Sequence, residues 1–154
     1  NGYEIISDKV IGKNLFNFIY SKDVKQIYRE IIACVKNGKT IKFPFRCDSP
    51  THVRNFFMTI NLDEEKKVTF TSEFLSENLR ETPLKAIYST NISEEYMLVM
   101  CSWCKKVKTQ AGWLELEEVL NKEKIFIKRE IPQISHGICE ECYSVIKSEI
   151  SKQE

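Results

Sequence analysis

Apolar residues recur at steps of three and four from Val24 through Ile27, Tyr28, Ile31 and Ile32 to Val35, one stripe along a helix expected from Asp23 to Lys36. Asp23 is placed to cap its start, Gln26 completes a capping-box-like pair, and Asn37-Gly38 supplies a left-handed stop. Upstream, Leu15, Phe16, Phe18 and Ile19 follow Gly12 closely and predict a short helical turn against a core. Downstream the period changes to two. Ile41, Phe43, Phe45 and Cys47 share one face of a strand, with Lys42, Pro44 and Arg46 on the other. Pro44 donates no backbone hydrogen bond, which predicts an edge position or a bulge. After the turn Asp48-Ser49-Pro50-Thr51, a second strand from Val53 to Leu62 alternates Phe56, Met58, Ile60 and Leu62, and a third aligns Val68, Phe70, Ser72 and Phe74. A helix followed by an antiparallel three-stranded meander is expected.

The pattern weakens from Ser76 to Thr90, which reads as a connector. Ser93 then offers a cap for a short helix through Met100. Further on, Trp113 to Leu120 is helix-like and Lys124 to Ile131 strand-like, and the spacing Cys139, Cys142, Tyr143, Ile146, Ile150 predicts a final helix. The division expected is residues 1–80, a connector and short helix over 81–100, and a C-terminal segment over 101–154.

Composition narrows the class. The chain has 154 residues, with 42% apolar and 29% charged residues, the balance of a globular protein. No run approaches the ~20 apolar residues of a membrane helix. Lys and Arg number 23 against 22 Asp and Glu, so no basic excess points to nucleic acid or anionic lipid. Lys105, Lys106 and Lys108 read as a solvated face beside the acidic run Glu115 to Glu118. With no signal-peptide pattern at its start, the chain is expected in the cytoplasm.

The cysteines carry the chemistry. Four of the six form two Cys-X-X-Cys pairs, CSWC and CEEC, with 34 residues between the pairs. Two intervening residues let a tight knuckle, or a helix's first turn, aim both sulfurs at one point, and four thiolates close a tetrahedral shell that suits zinc. Cys101, Cys104, Cys139 and Cys142 are therefore the expected ligands of one structural zinc ion. The second pair opens the final helix, where free N–H groups and the helix dipole favour thiolate. Gly137 allows close backbone approach to the metal. A knuckle, a strand and a helix opening on the second pair make a treble-clef layout. His136 is placed outside the shell, which four thiolates already close. Trp103 is assigned to core packing, and Cys34 and Cys47 to small buried apolar positions. The rival chemistry is redox, with the two pairs as a reversible disulfide switch or the centre of a redox enzyme. A thioredoxin-like βαβ context is missing, and Lys105 and Tyr143 stand where haem attachment needs histidine.

The order VIGKNLFNFI, DVKQIYREIIACVKNGK, TIKFPFRCDSP, RNFFMTINL and VTFTSEF resembles a PAS sensory domain without its first strands. Gly12, Leu15, Phe18 and Ile19 match the short helix that precedes the long one in PAS domains, and Arg54 also fits. The first two strands of a complete PAS sheet would precede Asn1, with Tyr3 to Ile6 as a candidate remnant. FRCDSP followed by MCSWCKKV and HGICEEC is similar to a group of small bacterial PAS-like proteins ending in a cysteine motif. The fold implied is α+β, a PAS-like antiparallel sheet with helices and a treble-clef-like zinc-binding appendage. The function implied is a non-enzymatic sensory or protein-interaction module in bacterial signal transduction. Its expected partners are another protein or a second copy of the chain, as a homodimer, and a small-molecule ligand in a core where Phe43, Phe45, Phe56 and Phe70 are candidate lining.

Overall fold

A computed structural model describes residues 7–81, 83, 92–123 and 131–152. The candidate strand remnant Tyr3 to Ile6 and all but the last residue of the strand-like run Lys124 to Ile131 lie outside the described residues. The fold is mixed α+β. After a short helix α1 (Ser7–Val10) and a 3-10 turn (Leu15–Asn17) come helix α2 (Lys22–Lys36) and strands β1 (Ile41–Arg46), β2 (His52–Leu62) and β3 (Val68–Leu79). Strands β4 (Ile92–Cys101), β5 (Val107–Thr109) and β6 (Gly112–Leu114), helix α3 (Leu116–Glu123), strand β7 (Ile131–Gly137) and helix α4 (Glu140–Ser151) follow.

The helix-then-meander order expected from periodicity is present: β1, β2 and β3 form one antiparallel sheet in that order, and β1, with its Pro44, is an edge strand. The pairings Ile41 with Ile60, Phe43 with Met58 and Phe45 with Phe56 put the alternating apolar residues on one face. Helix α2 buries Val24, Ile27, Ile31 and Val35 there, each worth roughly 1.5–3 kcal/mol of transfer free energy. Its N-cap is Ser21, not Asp23: the Ser21 hydroxyl accepts from the Val24 backbone N–H at 3.4 Å, and Gln26 bonds to Glu30 instead. Asn37 ends the helix, and Gly38 takes φ +88°, the left-handed stop that a side chain would resist.

Three local expectations are overturned. Residues from Ser93 to Met100 are not a helix but belong to strand β4, because Leu98 and Met100 alternate into a core and β7 pairs with β4 in parallel at Ile92 and Ser93 and again, after a register shift, from Met97 to Cys101. Strand β3 does not stop at Phe74. The register shifts at Asn55 and Phe56, which pair with Ser76 and Phe74, so Leu75 is the extra residue of a bulge that lets pairing continue to Leu79. The run Trp113 to Leu120 divides, with Trp113 and Leu114 in β6 and the helix beginning only at Leu116. In addition Phe70 and Phe74 are exposed, although the Phe70 ring still meets Tyr28 of α2 with centroids 6.4 Å apart.

Strands β6, β5, β4 and β7 form the second sheet in that order. Leu116, Val119 and Leu120 of α3 pack with Leu98, Met100 and Val107 in a small core of their own. The larger core is built from both halves of the chain: α2, Ile41, Phe43 and Ile60 bury together with Cys101, Trp103, Cys139 and Ile146. A ring of charges adds a second tie. Arg46 bonds Asp48 at 2.6 Å and Glu117 at 2.8 Å, and Arg80, almost wholly buried, pairs with the same two carboxylates, so α3 is pinned to the end of the first sheet. Among the described residues no helix is long and apolar enough to cross a membrane.

Candidate metal centre

The first cysteine pair sits on a tight turn between β4 and β5. The Cys101 backbone N–H donates to the Lys106 carbonyl at 2.8 Å, and the Lys105 N–H returns to the Cys101 carbonyl at 3.2 Å. Lys105 takes φ +66°, which curls the chain so that the Cys101 and Cys104 side chains converge. Two more backbone bonds moor this knuckle: Ser102 N–H to the Gly137 carbonyl at 2.9 Å, and Arg46 N–H to the Trp103 carbonyl at 2.7 Å.

The second pair opens α4, as its spacing implied. Cys139 is the N-cap, and its sulfur accepts from the Cys142 N–H at 3.5 Å. The Cys139 N–H in turn donates to the Cys101 sulfur at 3.5 Å. All four Sγ atoms lie within 4.8 Å of one another, with Cys104 and Cys139 3.6 Å apart. A tetrahedron with metal–sulfur bonds of ~2.3 Å has edges of about 3.8 Å, so this arrangement can hold a metal ion.

Hydrogen bonds from Cys104 and Cys142 push Cys101 far down, and their roles as donors raise both, Cys104 to about 12. Four anionic sulfurs at this spacing repel one another too strongly without a cation at their centre. None of the six cysteines is in a disulfide.

Trp103 has the packing role expected of it. It is 3% exposed, stacks on Tyr28 with ring centroids 5.7 Å apart and meets Phe43 edge-on at 6.2 Å. Its Nε1 is buried without a hydrogen-bond partner. His136 lies in β7 with its side chain exposed, outside the group of four. Gly137 makes its close approach to a side chain: a Cβ there would stand 3.2 Å from Val99 Cγ1 and 3.5 Å from Trp113. Cys34 is half-buried against the main core, whereas Cys47 is exposed, because the face it would share with Phe45 ends as the chain leaves β1.

Periodicity and spacing did not reveal the Arg46, Asp48, Arg80 and Glu117 ring, whose members come from three separate stretches of chain. Nor did they reveal a cavity of about 280 Å³ beside the thiols, walled by Phe45, Phe56, Leu75 and Val145 and by Cys104 and Cys142 themselves. Comparison with protein-family models, with curated proteins and with solved structures finds no match to this chain.

Proposed function

We propose that this chain is a non-enzymatic, PAS-like sensory or protein-interaction module of bacterial signal transduction, working in the cytoplasm, with one structural zinc ion held by Cys101, Cys104, Cys139 and Cys142 in a treble-clef-like arrangement. The observation that carries this reading is the convergence of four sulfurs from a knuckle and a helix N-terminus. Zinc accepts such a set without preference for other geometry, and four thiolates leave no open position for substrate. The centre's work is therefore mechanical. Cys101 and Cys139 are part of the same buried cluster as α2 and β1, so the metal would fix the position of α4 against the first sheet. A ligand or partner that alters the sheet face then has a rigid element through which to act.

The output is contact with another protein or with a second copy of the chain. Nucleic acid fits less well: Lys106 is engaged by Glu141 at 2.6 Å, and the Lys105 ammonium donates to the Ser102 carbonyl at 2.9 Å. The test is native mass spectrometry with elemental analysis. One zinc per chain is expected, lost when any of the four cysteines is changed to serine and kept in Cys34→Ser and Cys47→Ser. Acid should release it as protons compete for the thiolates. Metal-free protein that cycles through a disulfide would replace this reading with the redox one, and zinc retained in Cys139→Ser but lost in His136→Ala would move histidine into the shell.

A further inference from the structure

The two edges of the first sheet are finished differently. On β1 the outer side carries Pro44 and is engaged by the Trp103 carbonyl, whereas among the described residues no strand pairs with the outer edge of β3. Which groups that edge presents follows from the register. The Asp63 N–H donates to the Lys67 carbonyl at 2.9 Å, and counting on in steps of two, Asn61, Thr59 and Phe57 exchange backbone bonds with Thr69, Thr71 and Glu73. The other side of β2 agrees. There the Cys47 N–H donates to the Arg54 carbonyl at 3.0 Å, so Phe56, Met58 and Ile60 turn their backbone groups toward β1. The N–H and C=O groups of Phe70, Ser72 and Phe74 therefore point away from β2. Val68 to Leu75 contains neither proline nor lysine, the residues that commonly guard an open edge, and its regular run ends at the Leu75 bulge.

We propose that β3 is a self-association edge, which pairs antiparallel with β3 of a second copy of this chain about a two-fold axis at Ser72. This rests on the interaction-module reading above and names a second copy as the partner. In that register Phe70, Ser72 and Phe74 exchange both backbone bonds with Phe74, Ser72 and Phe70 of the other copy. The side chains match as well. Phe45, Phe56 and Phe74 form an aromatic row across the sheet, with successive ring centroids 5.4 and 5.6 Å apart, and the row ends at Phe74, which is 57% exposed. Phe70 of the second copy, itself 41% exposed in the monomer, would extend the row by one ring. On the opposite face Glu73 of each copy meets Thr71 of the other. Moving the axis to Glu73 would set two carboxylates against each other, and moving it to Thr71 would pair each Phe70 with a serine. One strand from each copy buries little surface, so a dimer with a dissociation constant of roughly 10–100 μM is expected.

The experiment uses the full chain as purified. Sedimentation and light scattering from about 5 μM to about 1 mM should follow a monomer–dimer equilibrium. Amide exchange resolved by NMR at both ends of that range reads the edge itself. The amides of Thr69, Thr71 and Glu73, bonded to β2, should exchange slowly throughout, whereas those of Phe70, Ser72 and Phe74 should exchange freely when dilute and roughly fivefold more slowly when concentrated. Two charge variants at exposed positions fix the register. Ser72→Lys sets two ammonium groups against each other and should weaken the dimer roughly tenfold, while Thr71→Lys meets Glu73 of the other copy and should tighten it roughly threefold. Both should keep the metal content and far-ultraviolet spectrum of the parent. A monomer at the highest concentration, a dimer in which these three amides exchange no more slowly, or a Thr71→Lys dimer weakened as much as that of Ser72→Lys overturns the proposal. Slow exchange at the three amides that persists on dilution also overturns it, because the chain's own residues would then cover the edge. A monomer holding one zinc would defeat this proposal alone, and a metal-free dimer paired through these amides would defeat the zinc reading alone.

Discussion

The backbone N–H of Arg46 donates to the carbonyl oxygen of Trp103 at 2.7 Å, which joins the free side of edge strand β1 to the knuckle between Cys101 and Cys104. Two residues earlier on that same side stands Pro44, which has no N–H to offer. The edge is thus blunted at one position and used at the next. Side chains reinforce the link, since Trp103 lies between Tyr28 of α2 and Phe43 of β1.

If the sheet and the centre share a core, damage to one should reach the other. Phe43→Ala is expected to destabilise by roughly 3–5 kcal/mol, the usual loss for a buried phenylalanine, and to speed transfer of metal to a chelator although residue 43 is no ligand. Urea unfolding followed by circular dichroism, with chelator kinetics on the same samples, measures both. Unchanged chelator kinetics would show that the centre holds its geometry without the sheet.

Trp103 allows a sharper separation. Because its Nε1 is buried and unpartnered, Trp103→Phe removes an unsatisfied donor along with some volume, and a net loss of only about 1 kcal/mol is expected. A loss as large as that of Phe43→Ala would mean that the indole N–H has a partner in solution, and the nearby sulfurs would be the first to examine.

The charge ring should make stability sensitive to acid. Burial by itself would raise the Glu117 carboxyl, but its hydrogen bond to Arg46 and the charges of Arg46 and Arg80 hold it below the ordinary 4.5. A carboxyl depressed in the folded state contributes its stability above the unfolded value and loses it as pH falls through the folded one. The melting temperature should therefore fall from about pH 4.5 downward, and less steeply in Glu117→Gln. The readout is a series of melts between neutral pH and pH 3. Arg80→Ala, which leaves Arg46 as the cation shared by Asp48 and Glu117, should be destabilising by roughly 1–3 kcal/mol at pH 7.

Two glycines should fail for different reasons. At Gly38 nothing lies within 4 Å of an added Cβ, so Gly38→Ala is expected to lose roughly 1–2 kcal/mol through backbone strain at φ +88° alone. Gly137 has no such φ, and Gly137→Ala must displace Val99 instead, which a second change, Val99→Ala, should partly relieve. A thermal-melt cycle over the two positions is the measurement. An effect of Gly137→Ala that Val99→Ala leaves untouched would locate the conflict elsewhere.

Much of this molecule is written in short-range pattern. The stripe from Val24 to Val35 defines α2, the alternations around Phe43, Met58 and Phe70 define the meander, and the two Cys-X-X-Cys pairs name the four sulfurs, because each of these signals is complete within one or two turns or one strand. What tertiary structure decided lies in contacts between distant segments. The stretch Ser93 to Met100 has a helix's cap signal, yet it becomes a strand because β7 lies beside it in parallel, more than thirty residues along the chain. Leu75 becomes a bulge only against Asn55 and Phe56, and Cys47 is left exposed where β1 runs out. The ring of Arg46, Asp48, Arg80 and Glu117 and the cavity beside Cys142 exist only once the sheets have met, because hydrophobic burial and charge pairing reward proximity in space, of which local periodicity carries no record.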